Sequence, residues 1–489
     1  MPASISETGN LPPPSVERGQ SFSPATLLML LACLLIPGLL AYSLATENPI
    51  KVTLWVVEVA LLLIAFARPF WGMLLFIGLI FVRPEEMSPD LAGMHLTLLV
   101  SLVTLVSTWF QFFLDRERVT RSPQITMMFG FAAIVVINAF LTGGLITQTT
   151  QDMVRLTLLV LLVLNLVRTP ERYRAYVNTL ILFTGYVAVY SIILYLSGVG
   201  VIEQADTGSV GGLIARSKAT GIFGDPNDLA VTIIAGMALA LAMVTQVRGL
   251  ARIPHLLVLG LGSWAVLQTN SRSGMVSFLV VLVTGFICLS RRKAAAIGLI
   301  VVVVGTLLAV SSSRMTNFNT QEQSANERLM FWSNGLDQLR QHPLTGCGYT
   351  KFPDYNGHRA AHNSFVLCFA ELGLPGYFCF IGLIYYAFRR RPKSAPWTPP
   401  DERSARDLLA SRLALIGYLT GSFFLTRTYI PITFLYITLP VAAQIALSGQ
   451  TEPYRLTARE RLQDFGWIAA ICVGSIVFVR LIVYRYGGM

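Results

Sequence analysis

Charge is what this sequence has least of: 13% of its 489 residues are Asp, Glu, Lys or Arg, against roughly 25% in a soluble domain. With 54% of residues hydrophobic, that scarcity excludes an ordinary water-soluble fold. Cysteine is sparse too. Five of the six (Cys33, Cys288, Cys368, Cys379 and Cys472) lie within apolar runs and Cys347 lies in a polar loop, so neither a disulfide framework nor a zinc spacing is present. Sustained polar–apolar alternation is missing, which argues against a transmembrane β-barrel. The apolar stretch opening at Ala25 lacks a clean small-residue cleavage site. It is expected to be a retained first helix behind a disordered cytoplasmic tail over 1–24, rich in Pro and Ser.

What is there instead is a series of runs apolar on every face, such as 52–67, 94–114, 124–145 and 297–310. Many approach the roughly 20 residues that carry a helix across a bilayer. An all-α, polytopic membrane protein is therefore expected. The runs suggest fifteen spans: 25–44, 52–67, 69–83, 94–114, 125–145, 152–168, 174–197, 227–247, 253–268, 274–290, 294–311, 364–388, 408–426, 430–448 and 465–484. The net charge of +11 does not point to nucleic acid, because the basic residues come in small groups between these runs. Groups at 116–121, 168–174, 248–252, 291–293, 389–393 and 455–461 fall in alternate connections. The positive-inside rule makes that side cytoplasmic.

The opposite side then receives two long loops, 198–226 and 312–363, and a short turn at 269–273. The expected organisation is an N-terminal bundle over 25–197, a core over 198–390, a proline-rich cytoplasmic linker over 391–407 and C-terminal helices over 408–489.

The chemistry-bearing residues sit on those loops. The first ends Arg216-Ser-Lys218-Ala-Thr-Gly221-Ile-Phe223-Gly224-Asp225-Pro226-Asn227 and runs into an apolar helix. Asp225 or Asn227 can cap that helix with Pro226 in its first turn. Capping does not account for Arg216 and Lys218, and two cations beside a helix N-terminus make an anion site. The turn Ser271-Arg272-Ser273-Gly274 puts a guanidinium near the membrane face, suited to gripping a diphosphate or to snorkelling.

In the second loop, Leu329, Trp332, Leu336 and Leu339 form one apolar helical stripe behind Glu327 and Arg328. Gly346-Cys-Gly348 follows as a turn suited to close backbone approach. The loop closes with His358-Arg-Ala-Ala-His362-Asn363-Ser364-Phe365, where His362 is a candidate general base. Asp354, His358 and His362 are spaced by four, but Pro353 and Gly357 interrupt a helix there, and no Glu completes a zinc-protease pattern. Glu371 lies inside the next span, before Gly373-Leu-Pro375-Gly376, which should kink it. An intramembrane acid is a functional candidate or the partner of a cation.

Taken in order, these elements resemble the O-antigen ligase and Wzy-type polymerase superfamily of envelope glycan enzymes. The resemblance rests on 216–227, Ser271 to Gly274, Glu327-Arg328 with Trp332, Pro343 to Gly348, and His362 to Phe365 followed by Ala370 to Gly376. It is specific over about residues 150–390 and general elsewhere. It implies about a dozen transmembrane helices, so that with the fifteen runs the expected count is about 12 to 15, and a C-type integral-membrane glycosyltransferase (GT-C) with a long periplasmic loop. Such an enzyme is inverting, metal-independent and without cofactor, and sits in the bacterial inner membrane with its active site facing the periplasm.

Its donor would be a glycan on undecaprenyl diphosphate, and its acceptor a glycan, lipid A-core or protein. By the same resemblance, Arg216 and Arg272 would hold the diphosphate, with Lys218 and Arg328 as further cations. Either Arg216 or Lys218 matches the family's first cation. His362 would activate the acceptor hydroxyl, with Asn227, Asn363, Glu327 and Glu371 in support. A polysaccharide polymerase and a protein O-oligosaccharyltransferase share the chemistry. An inorganic-carbon transporter is the reading from another class, but no internal repeat is visible and the charged candidates gather at one face.

Overall fold

The computed structural model of the chain describes residues 49–86, 94–116, 118–205, 213–219, 223–289, 323–389, 397–449 and 456–487. The described helices are α1 (Pro49–Ala67), α2 (Pro69–Val82), α3 (Leu96–Leu114), α4 (Pro123–Leu141), α5 (Ile146–Leu166), α6 (Pro170–Leu196), α7 (Pro226–Gln246), α8 (Ile253–Gln268), α9 (Arg272–Leu289), α10 (Gln323–Gln341), α11 (Ser364–Phe388), α12 (Glu402–Ser422), α13 (Pro431–Ser448) and α14 (Ala458–Tyr486). Among the described residues, nine helices are long and apolar enough to cross a membrane, and three apolar helices are shorter. The chain is a helical, multi-pass membrane protein. The expected spans at 25–44 and 294–311 and the tail over 1–24 lie outside the described residues.

Two expectations need correction. The loop over 198–226 is not wholly irregular: β1 (Val201–Ala205) and β2 (Leu213–Ser217) pair antiparallel, with Ile202 opposite Arg216. The linker expected to run to 407 ends earlier, because Asp401 accepts a 2.7 Å hydrogen bond from Ser404 N and starts α12 at Glu402.

α7 and α13 are apolar and mostly buried along their length, which marks them as central helices. α7 packs against α6, α8, α9 and α12. Among the described residues, the basic groups collect at one end of the bundle. Arg168 donates to the Arg118 carbonyl (2.7 Å), Arg406 to the Thr245 carbonyl (3.3 Å), Arg174 lies 3.7 Å from Asp407, and Arg389 pairs with Asp464 at 2.6 Å. The starts of α7, α9 and α11 lie at the opposite end.

The kink in α11 shows how backbone accounting shapes that opposite end. Pro375 has no N–H for the Glu371 carbonyl one turn earlier, and Gly373 leaves helical geometry with φ 64°. Leu374 N turns away to the Pro343 carbonyl (2.8 Å). The carbonyls of Ala370 and Glu371, freed by this, accept instead from Cys347 N (2.8 Å) and Gly348 N (3.1 Å). The 343–348 turn is thereby pressed backbone to backbone onto the kink, the close approach that Gly346 and Gly348 suggested. At Gly346 (φ 65°) a Cβ would sit 2.3 Å from the Glu371 carbonyl carbon. Gly346→Ala combines that clash with a left-handed backbone, which alone costs about 1–2 kcal/mol. A clear drop in the thermal midpoint of the detergent-solubilised protein is expected, whereas Gly143→Ala, left-handed but open, should cost much less.

Candidate active site

The site is built on the first turn of α7. Asp225 caps the helix, its Oδ1 accepting from Asn227 N (2.6 Å) and Asn227 Nδ2 (2.9 Å), and Pro226 takes the first helical position. This holds the Asn227 amide in one orientation, with its oxygen turned to Arg216 and Ser271. Asn227 Oδ1 accepts from Arg216 Nη2 at 3.0 Å and from Ser271 Oγ at 2.7 Å. Arg216, buried at the end of β2, also donates from Nε to the Thr269 carbonyl at 2.9 Å. Ser271 Oγ lies 3.1 Å from Ser273 Oγ and accepts from Gly274 N at 3.1 Å, fixing the turn in which Arg272 heads α9. The hairpin, the α8–α9 turn and the start of α7 thus meet at one amide.

A second cation reaches the same turn from a place the sequence reading did not single out. Arg427, in the connector between α12 and α13, is 2% exposed and donates from Nε to Asp228 Oδ1 at 2.6 Å, with Nη2 at 2.5 Å. The signal was available: it is a lone cation between two apolar segments, which by default demands a partner.

The connector also holds the loop that carries His362. Thr426 Oγ1 accepts from His362 N (3.1 Å), Ser364 Oγ accepts from Arg427 N (2.8 Å) and donates to the Leu425 carbonyl (2.6 Å), and Thr428 Oγ1 donates to the Ser364 carbonyl (2.7 Å). From the other side, the Trp332 indole donates to the Ala361 carbonyl (3.2 Å) and Phe331 stacks on the His362 ring at 6.3 Å. His362 is left-handed, φ 48°, a conformation uncommon for non-glycine residues and held here by those contacts. Burial holds the His362 imidazole below the ordinary histidine range, and the Arg328 cation pushes the same way; Asp225 opposes, Arg359 adds to the lowering and Glu327 opposes it. Arg328 and Asp225 therefore both lie within electrostatic reach of His362.

The remaining candidates have separate places. Asn363 caps α11, its Oδ1 accepting from Phe365 N (2.9 Å) and Val366 N (3.1 Å). Glu327 pairs with Arg359 at 2.7 Å. Lys218 prolongs the hairpin, its N–H donating to the Gly200 carbonyl at 2.9 Å. Glu371 supports the 343–352 segment, its Oε1 accepting from Phe352 N at 3.3 Å. Asp354 belongs to a 3₁₀ turn at Phe352–Tyr355, not to a helix reaching His362. Among the described residues, no three His, Cys, Asp or Glu side chains are grouped to share a metal ion.

Residues 256–381 match the Wzy_C family model, described as O-antigen ligase. Over that stretch the chain is O-antigen ligase-like. The matched stretch contains Arg272, Glu327, Arg328, His362, Asn363 and Glu371, and leaves Arg216, Lys218, Asn227 and Arg427 outside it. No curated protein matches the chain, and no solved structure does.

Arg427 is buried and Asp228 half-buried, so removing Asp228 strands the arginine charge, at up to roughly 3–5 kcal/mol. Asp228→Ala is accordingly expected to lower the thermal midpoint of the solubilised protein sharply. The double variant Asp228→Leu with Arg427→Met, which removes both charges, should recover most of that loss.

Proposed function

We propose that the chain is a glycosyltransferase of the GT-C type that moves an oligo- or polysaccharide from undecaprenyl diphosphate to an acceptor hydroxyl, as an O-antigen ligase does. The observation that carries this reading is the meeting of Arg216, the Arg272 turn and the His362 loop around the first turn of α7. A lipid-diphosphate donor needs fixed cations at the leaving group and a base at the nucleophile. In the proposed step the acceptor oxygen attacks the anomeric carbon from the face opposite the diphosphate. His362 takes the hydroxyl proton, the carbon–oxygen bond to the diphosphate breaks with inversion, and the electron pair leaves on the diphosphate. Arg216 and Arg272 carry that charge, with Lys218 and Arg328 adding to the field, so the chemistry asks for no metal. The charge pattern favours a periplasmic site in the inner membrane.

The test is turnover of a synthetic lipid-diphosphate glycan by purified protein. His362→Ala is expected to lose about 10²–10⁴-fold in rate, as removal of a general base does, and Arg272→Gln to lose turnover through its grip on the diphosphate. No turnover by the wild type, or full turnover by His362→Ala, sinks the proposal. In a deletion strain, stranded long lipid-linked polymer identifies a ligase, single repeats on the acceptor identify a polymerase, and normal glycan rejects both.

The pH profile gives an independent check. A base acts in its neutral form, so kcat/KM for the donor, which reports the free enzyme, should fall as pH drops through the pKa of His362 and stay flat above it. Because His362 is lowered by burial and by Arg328, that acid limb should lie below the ordinary histidine midpoint. It should move up toward that midpoint in Arg328→Gln and vanish in the residual activity of His362→Ala.

A further inference from the structure

At the end of the bundle opposite His362 lies a cavity of about 1110 Å³, formed where the starts of α4 and α14 face the last turns of α11. That volume exceeds the roughly 300–1,000 Å³ typical of a small-molecule site. Its lining changes character with depth. Arg118 and Arg121 precede α4 and Arg461 stands in the first turn of α14, so three exposed guanidiniums ring the helix ends. One to three turns further in, the wall is Phe378, Phe465 and Ile468, with the two phenyl rings 4.8 Å apart.

Buried Thr120 also lines the cavity, and its Oγ1 has no hydrogen-bond partner. The acid closest in sequence to Arg461 on the deeper side, Asp464, is already held by Arg389 (2.6 Å) and Tyr385 (2.8 Å), so it does not neutralise the rim. Neither cavity nor arginines enter the proposed transfer, which lies at the other end.

We infer that this cavity is a binding site for an anionic phospholipid, its phosphate held by Arg118, Arg121 and Arg461 and its acyl chains laid on Phe378, Phe465 and Ile468. The order of the wall matches a lipid standing in a leaflet: cations at headgroup level and apolar surface beneath. Basic pockets between transmembrane helices take acidic headgroups for the same reason, since the guanidinium forks fit phosphate oxygens and the acyl chains supply apolar contact. Zwitterionic phospholipid has the same chains but no net charge, so it is the discriminating competitor.

The experiment is retention of phosphatidylglycerol by the full chain, extracted from nanodiscs of phosphatidylglycerol and phosphatidylcholine and weighed by native mass spectrometry. Wild type should carry phosphatidylglycerol in preference to phosphatidylcholine, and inorganic phosphate should not displace it. Arg118→Gln/Arg121→Gln/Arg461→Gln should lower retention roughly tenfold or more, given a few-fold for each basic residue near an anionic headgroup. Thr126→Trp, at an exposed lining position, keeps every charge and intrudes on the space; it should lower retention as well. Arg248→Gln/Arg252→Gln, basic residues at the same end but outside the cavity, should leave retention unchanged. Equal retention of the two lipids, displacement by inorganic phosphate, retention surviving either cavity variant, or equal loss in the Arg248/Arg252 variant overturns the inference.

Discussion

An arginine that is 2% exposed in a membrane protein needs a partner for its charge, and the Arg427–Asp228 pair is the constraint on which the site is arranged. Asp228 belongs to the first turn of α7, a helix packed on several sides, so the pair has a fixed end. Its other end is the α12–α13 connector, and that connector bonds through Thr426, Arg427 N and Thr428 to residues 362–364. The position of His362 relative to the start of α7 is thus set by a side-chain ion pair and a short run of hydrogen bonds. Asn227, one residue before Asp228, fixes Arg216 and the Ser271 turn against the same helical turn. Three loops far apart in sequence take their register from two consecutive residues, Asn227 and Asp228.

The second constraint is that backbone polar groups far from water have to be satisfied within the protein. At α11 the requirement is met in an unusual way, because Pro375 and Gly373 release two carbonyls in the middle of a long apolar helix. The 343–348 turn supplies the missing donors, and Glu371 adds an acceptor for Phe352 N. A kink that would otherwise cost hydrogen bonds becomes the attachment point for the segment leading to His362. The side chain of Glu371 therefore has a structural use that does not require a cation.

Much of this was legible in the sequence. The apolar runs anticipated the nine helices long enough to cross a membrane but also counted 408–426, which is not among them; the described arginine groups fell at one bundle end, and Asp225-Pro226 marked the start of α7 by ordinary capping chemistry. The stripe of Leu329, Trp332, Leu336 and Leu339 packs as expected, with Trp332 and Leu339 buried. What could not be read was pairing at a distance. Nothing local in Leu425-Thr426-Arg427-Thr428 says that its cation seeks a carboxylate 199 residues earlier. The β1–β2 hairpin was missed because its strands are short and flanked by glycines, so they carry no sustained alternation. The early start of α12 was missed because a proline-rich approach hid the Asp401 cap.

The charges around the first turn of α7 bear on one another. On the segments gathered there, Arg216, Lys218, Arg272, Arg328, Arg359 and Arg427 outnumber Asp225, Asp228 and Glu327. Asp228 is paired with Arg427 and Glu327 with Arg359, while Asp225 caps a helix, so the carboxylates are largely engaged and a positive surplus remains. On the proposed reading that surplus has two effects. It favours a diphosphate, and through Arg328 and Arg359 it helps keep His362 unprotonated before the donor arrives. A bound diphosphate would bring negative charge into the same field and raise the proton affinity of His362 just when an acceptor hydroxyl must lose its proton. Donor binding and base strength would then be coupled through electrostatics alone, with no conformational change needed.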